Sequence, residues 1–299
     1  MSMAHEFNYA RPTSLAEAIK LKDQHRDKAR VLAGGTDLIV NMKEGMMRPE
    51  LLIDIKDVPD MHRFAVAEGK LFIGAAVTFC AIIDSAYIQA TFPMLSDAAK
   101  TVASTGVRSR ATMAGNICSA VPSLDSAPPL FCYNATVHCA SVSGTRDIPI
   151  GEWFLAPRKT ALQDDEIVTG ISLTIPQERN GAVYLKLGRY GGEDLAQAGW
   201  AIYVTASNQY RIAHCALSAA PKRAQQIEQI LNGKPLCPEL IEQAVALVAQ
   251  EISPITDIRS SKEYRLHVSG VMLKRGLLAA KDRLDGKCIE PAKLLGGIA

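Results

Sequence analysis

The segment VLAGGTDLIV, residues 31–40, sets two glycines, a threonine and an aspartate between two apolar stretches. On one side ARVLA reads as a short buried strand, and on the other TDLIVNMKEG reads as a helix ending near Gly45. The glycines therefore occupy a strand-to-helix turn. Adjacent glycines reach backbone angles closed to other residues and leave no β-carbon between an approaching ligand and the main chain. Such a turn suits a phosphate, because a nest of backbone N–H groups or a helix terminus donates to anions. Two better-known phosphate loops do not match. A Walker A loop needs Gly-Lys-Ser/Thr, whereas Gly35 is followed by Thr36 and Asp37, with no lysine until Lys43. A Rossmann fingerprint needs G-x-G-x-x-G, which AGGTDL does not supply.

Composition narrows the setting. The 299 residues, 48% of them hydrophobic, provide ample core for one large domain or two to three smaller ones. Thirty-three basic against 31 acidic side chains give a formal charge of +2, with no basic block, so no nucleic-acid partner is expected. No apolar run is long enough to span a bilayer, and MSMAHEFNYARP lacks the apolar core of a signal peptide. The expectation is a cytoplasmic protein without membrane attachment. The seven cysteines, at 80, 118, 132, 139, 215, 237 and 288, form no C-x-x-C pair and no zinc or iron–sulfur spacing. Among the six histidines none shows a ligand partner at helical or strand spacing. No metal site is expected on this chain.

Three compositional blocks follow one another without repeats. The first, to about residue 56, begins with TSLAEAIKLKDQ, a helix that Thr13 or Ser14 can cap, and ends in the strand LLIDI. The second, about 57–177, holds the strand LFIGA, the helical TFCAIIDSAYI and MLSDAAKTVAS, a long glycine- and proline-bearing segment, and a closing strand EIVTGISLTIP. In the third, AVYLKLGRY, GWAIYVTAS and YRIAHCALSAA read as strands, the last two a hairpin around NQ. A helix through SSKEYRLHVSGVMLKRGLLAAKDRL follows, with serines as caps.

The long segment ATMAGNICSAVPSLDSAPPL, residues 111–130, is the second informative stretch. Ala111, Ala114 and Gly115 permit close backbone approach, Thr112 and Asn116 offer hydrogen bonds, and Asp125 places a carboxylate further along the same loop. A diphosphate needs backbone donors, a ribitol or ribose needs a carboxylate or amide acceptor, and an isoalloxazine needs an apolar slot. AGGTD and this segment together offer the first two.

AGGTDL, TMAGNICSAVPSLDSAPPL, YLKLGRYGGEDLA and SSKEYRLHVSGVMLKR, in that order, resemble the FAD-binding subunit of the molybdenum hydroxylases, of the xanthine dehydrogenase and carbon monoxide dehydrogenase type. The resemblance runs across nearly the whole chain. It implies an α+β fold: an FAD-binding domain of the vanillyl-alcohol-oxidase/PCMH type over residues 1–177, in two α+β subdomains of about 1–56 and 57–177. A C-terminal domain with a three-stranded antiparallel sheet and helices would occupy 178–285, and a tail 286–299. By the same resemblance Leu32, Ala33, Gly34, Gly35, Thr36, Asp37 and Leu38 wrap the FAD diphosphate, and Thr112, Gly115 and Asn116 form a second wall, with Ala114 where the family more often has glycine. Asp37 reads equally as a helix cap. Asp125 accepts hydrogen bonds from ribityl or ribose hydroxyls, or else caps a turn. Val168 lies against the isoalloxazine and Lys186 near its polar edge as the one catalytic candidate; a core valine and a solvated lysine are the plain alternatives. GRYGGEDLA, with Gly191 and Gly192, would be a mobile loop beside the ring.

The resemblance also implies an enzyme subunit working by electron transfer. Electrons come from [2Fe–2S] clusters on a small partner subunit, which receives them from a molybdopterin centre on a large one, and pass to NAD or another acceptor. The assembly implied is a dimer of heterotrimers, and the substrate xanthine or a related N-heterocycle. Two other classes fit the same loops: a stand-alone FAD-dependent oxidoreductase of the same superfamily, for which no acid–base constellation is found, and a nucleotide-binding module without catalysis.

Overall fold

In the computed structural model, residues 5–190 and 193–295 are described. Gly191 and Gly192 of the expected mobile loop, and residues 296–299 of the tail, lie outside the described residues. The chain enters through β1 (Asn8–Ala10), α1 (Leu15–His25), β2 (Ala29–Leu32), α2 (Leu38–Lys43) and β3 (Leu51–Asp54). Ser14 starts α1: its Oγ accepts from the Glu17 N–H at 3.2 Å, and the Glu17 carboxylate accepts in return from the Thr13 N–H at 3.1 Å. β3 is wholly buried and runs parallel to β1 on one side and β2 on the other. Parallel neighbours need crossovers, which α1 and α2 supply. The AGGTD turn thus leaves the carboxyl edge of a parallel sheet, where α/β sheets commonly bind ligands.

The second part is an antiparallel sheet in the order β4-β5-β10-β6-β7. It comprises β4 (Phe64–Ala67), β5 (Lys70–Gly74), β6 (Thr136–Ser141), β7 (Gly144–Pro149) and β10 (Ile167–Thr174). Six helices fill the long connection from β5 to β6: α3 (Phe79–Asp84), α4 (Ala86–Thr91), α5 (Pro93–Thr101), α6 (Thr105–Arg108), α7 (Met113–Ser119) and α8 (Ala127–Cys132). The expected single helix over TFCAIIDSAYI is two, because Ser85 takes an extended backbone and its hydroxyl accepts from the Ile88 N–H to start α4. The segment read as one loop from 111 to 130 also contains α7 and α8. Pro128 and Pro129 do not prevent α8, since they fall in its first turn, where no intrahelical N–H is needed. Between β7 and β10 lie α9 (Ile150–Trp153) and the short pair β8 (Phe154–Ala156) and β9 (Lys159–Thr160).

The third part is the expected antiparallel sheet, β11 (Asn180–Leu187), β12 (Ala198–Thr205) and β13 (Tyr210–Cys215), extended by the two-residue strand β14 (Lys222–Arg223). It is followed by α10 (Gln225–Leu231), α11 (Pro238–Ala246), α12 (Val248–Glu251), α13 (Lys262–Leu284) and α14 (Pro291–Leu294). Successive strand residues point to opposite faces, and here both faces are buried. Val183, Leu185, Leu187, Trp200, Ile202 and Ile212 join a core with α10–α13. Ala182, Tyr184, Ala201, Tyr203, Ala213 and Cys215 join the core of the first two parts instead. α5 and α8 cover that second face. Gly181 and Gly276 let α13 lie close: a β-carbon at 181 would meet the Ala280 carbonyl, and one at 276 would meet Ile202.

Among the described residues no helix is long and apolar enough to cross a membrane. One buried group makes the C-terminal core acid-sensitive. His214 is fully buried beside Trp200, ring centroids 5.3 Å apart, and neither of its ring nitrogens has a hydrogen-bond partner. Burial first, and then the Lys222 charge, push its imidazole from 6.5 down to about 3. Above the ordinary value both folded and unfolded chains carry a neutral ring. Below it the unfolded ring takes a proton that the folded ring refuses, so stability falls as pH drops from 6.5 towards 3. The full loss is on the order of 5 kcal/mol. Melting temperature measured against pH should fall less steeply over this range in His214→Phe than in the parent; equal slopes would show that His214 is not the group responsible.

Candidate functional site

β2 ends at Leu32, and the turn Ala33–Asp37 leads into α2. Gly35 takes φ +75°, a left-handed angle that favours glycine, and α2 is tied back to the turn by Ile39 N–H donating to the Gly35 carbonyl at 3.0 Å. Among the described residues the amide N–H groups of Gly34, Gly35, Thr36 and Asp37 donate to no protein acceptor. Four consecutive donors without a protein partner, in a half-buried turn, are open to an anion. Asp37 is exposed and makes no capping hydrogen bond, so its side chain does not serve as the cap of α2.

The second stretch lies directly against the first. A β-carbon on Gly34 would collide with the backbone of Arg110 and Ala111, so only glycine allows the two segments this approach. The following residues are fixed from several sides. Phe79 N–H donates to the Ala111 carbonyl at 3.0 Å, Thr78 and Thr112 form an antiparallel bridge, and buried Thr112 caps α7 by accepting from the Gly115 N–H at 3.0 Å. Asn116 Oδ1 accepts from the Ser126 hydroxyl at 2.7 Å, which ties the start of α7 to the start of α8. Ala114 is buried in the core, where its methyl packs. Gly115 remains exposed.

Asp125, between those two helices, does not cap a turn. It is buried, and its oxygens reach into the C-terminal sheet: Oδ2 accepts from Lys186 Nζ at 2.8 Å and Oδ1 from the Tyr184 hydroxyl at 2.7 Å. Lys186 also donates to the Thr101 carbonyl at the end of α5, at 2.9 Å. The lysine is therefore a paired group with only 8% of its side chain exposed, not a solvated one. The Asp125 pKa is raised, because desolvation outweighs the Lys186 charge and the hydrogen bonds from Lys186 and Tyr184. A second ion pair crosses the same seam, Arg283 of α13 to Asp97 of α5 at 2.6 Å. Between them opens a cleft of about 1060 Å³, lined among others by Lys100, Ser104, Arg108, Lys186, Tyr190 and Glu193. Val168 is buried in the core at an irregularity in the β10–β6 pairing, as a core strand valine would be.

The turn at Gly34 thus lies against Arg110 and Ala111, immediately before Thr112, and Asp125 and Lys186 meet each other. Sequence reasoning missed Tyr184 and the Thr101 carbonyl. The alternation of β11 held the signal for Tyr184, two residues from Lys186 and so on the same face. Among the described residues no group of three or more His, Cys, Asp or Glu side chains is placed to hold a metal ion.

Residues 5–177 match the family described as the FAD binding domain in molybdopterin dehydrogenase. The chain belongs to the FAD-binding medium subunits of the molybdenum hydroxylase family. Residues 182–280 match the CO dehydrogenase flavoprotein C-terminal domain. The xanthine dehydrogenase FAD-binding subunit of Escherichia coli O157:H7 is 32% identical over 94% of this chain and 98% of that one. The carbon monoxide dehydrogenase medium chain of Afipia carboxidovorans is 31% identical over 93% of this chain and 97% of its own length. A chain in the crystal structure of cyanide-inactivated Cu,Mo-CO dehydrogenase superposes with a TM-score of 0.90 at 30% identity, covering 94% of this chain and all of that chain. The fold is thus the α+β fold of that FAD-binding domain together with the family's C-terminal domain.

The residues present fit this family's FAD. A dinucleotide diphosphate needs closely spaced donors without side chains in the way, and Gly34 to Asp37 offer four amides. Its hydroxyls need an acceptor, and a carboxylate with about four lone-pair sites retains capacity after two hydrogen bonds. Gly34→Ala should force the two segments apart, lowering stability by about 1–3 kcal/mol and reducing FAD per chain. Denaturant unfolding and flavin absorbance would check both; a variant with unchanged stability would mean that the contact is loose.

Proposed function

We propose that the chain is the electron-transfer subunit of a molybdenum hydroxylase. In this reading it takes electrons from [2Fe–2S] clusters of a small partner subunit, fed by a molybdopterin large subunit, and passes them to NAD or another acceptor. The observation that carries the reading is the run of free amides at Gly34–Asp37, in a turn held against the Arg110–Ala111 backbone just before α7. The FAD-binding unit is taken as residues 1–177, with 178–285 as the C-terminal domain. Leu32 to Leu38 hold the diphosphate, Gly34 to Asp37 through their N–H groups. Thr112, Gly115 and Asn116 form the facing wall. Asp125 accepts from the ribityl or ribose hydroxyls with the capacity that Tyr184 and Lys186 leave to it, and Val168 backs the ring from within the core.

When bound, FAD supplies a carrier that exchanges electrons singly with iron–sulfur clusters and in pairs with an organic acceptor. Lys186 holds a positive charge at the polar edge of the ring, which favours the negative charge of reduction. Its partner Asp125 and the Thr101 carbonyl hold it in place. The cleft beside Lys186 gives the acceptor its route. Relatives named for xanthine and for carbon monoxide share this chain type, and in this reading the pocket that selects the substrate lies on another subunit. Xanthine or a related N-heterocycle is our choice, and a cytoplasmic dimer of heterotrimers the assembly.

Expressed alone, the chain should be yellow, should carry FAD without stoichiometric iron or molybdenum, and should fail to oxidise xanthine while still reacting with NADH. Addition of the iron–sulfur and molybdenum subunits should restore substrate oxidation. Reduction of the flavin by an organic hydroxylation substrate in the isolated, metal-free chain would contradict the subunit reading and favour a self-sufficient flavoenzyme.

A further inference from the structure

Tyr184 is a fully buried core side chain whose hydroxyl has specific polar partners. It lies on β11 two residues before Lys186, so both side chains leave the same face of the sheet towards α5 and Asp125. Gly199 of β12 pairs with Lys186 on one side and with Cys215 of β13 on the other. A β-carbon at 199 would meet the Tyr184 hydroxyl at 2.6 Å and also the Cys215 sulfur. The missing side chain therefore makes the space that the hydroxyl occupies. There Tyr184 donates to Asp125 Oδ1 at 2.7 Å, and the Cys215 sulfur lies 3.4 Å from the same hydroxyl.

We propose that Tyr184 is a positioning residue: its hydroxyl holds the Asp125 carboxylate ionised and turned towards Lys186, and so sets the net charge that the chain presents at the flavin's polar edge. The inference rests on the reading that Lys186 faces the flavin. An O–H donor to a carboxylate stabilises the charged form, and in a buried site its removal leaves that charge short of a partner. The titratable groups facing Asp125 are Lys186 and Tyr184 from β11, with Cys215 from β13 behind the tyrosine. Of these Lys186 alone is a cation. Desolvation first and then Asp125 raise the Tyr184 pKa well above its ordinary value, so it stays a donor, and desolvation pushes the Cys215 thiol up to about 12, so it stays neutral. Without the tyrosine hydroxyl, Asp125 takes a proton more readily and the Lys186 charge stands uncompensated.

The test uses the full chain loaded with FAD and measures the flavin midpoint potential against pH, together with FAD per chain. Tyr184→Phe should retain FAD and show a potential above the parent's, by a margin that widens as pH falls. Lys186→Met should lower the potential. Difluorotyrosine placed at 184 keeps the shape and strengthens the donor, so it should hold the parent's potential to a lower pH; it decides the matter if Tyr184→Phe fails to fold. Parent-like potentials at every pH in both Tyr184 variants, with Lys186→Met lowered, would overturn the proposal and leave the lysine reading standing. An unchanged potential in Lys186→Met would overturn both.

Discussion

The proposed dinucleotide site depends on the approach of Gly34 to the backbone of Arg110 and Ala111, a contact that no residue with a β-carbon could make. It joins a turn from the parallel sheet to the start of α7 from the helical connection of the antiparallel sheet. Neither segment alone is a site. The turn supplies free N–H groups, and the α7 segment supplies a wall whose own polar groups are largely spent on fixing its shape, Thr112 on Gly115 and Asn116 on Ser126. The protein thus keeps a rigid frame around donors left unpaired, which is what preorganised anion binding requires.

The C-terminal sheet completes that frame. Its strands carry apolar residues on both faces, so the sheet is buried between α13 and the pair α5 and α8. The position of Lys186 follows from this layering, since residues of its parity on β11 face the FAD-binding part. Across the seam Lys186 and Arg283 find Asp125 and Asp97. Buried pairs of this kind add little net stability, because desolvation offsets most of the attraction, yet breaking one leaves an expensive lone charge. Their effect is to fix which groups meet at the seam, so the lining of the cleft and the docking of the two parts are set together.

The turn after β2, the Ser14 cap and the three long strands of the C-terminal sheet were legible because each is written locally, in glycines, a hydroxyl before a helix, or apolar runs. α7 and α8 were not. Their small residues and prolines carry weak helical signals, and they form because Thr112 caps one, prolines sit harmlessly in the first turn of the other, and the core buries both. The partner of Lys186 is 61 residues away, and Arg110 and Ala111 lie still further along the chain from Gly34, so no window of sequence contains either contact. Val168 illustrates the opposite limit: one buried valine in a strand looks alike whether it backs a cofactor or only fills a core.

The claim on which the rest stands is that the amides of Gly34, Gly35, Thr36 and Asp37 are the diphosphate donors. Amide hydrogen exchange at these four positions, measured with and without FAD, tests it most directly. Free N–H groups in a half-buried turn should exchange readily in the FAD-free chain and become strongly protected when FAD binds. Stoichiometric FAD binding with unchanged exchange at all four would contradict it and place the diphosphate elsewhere.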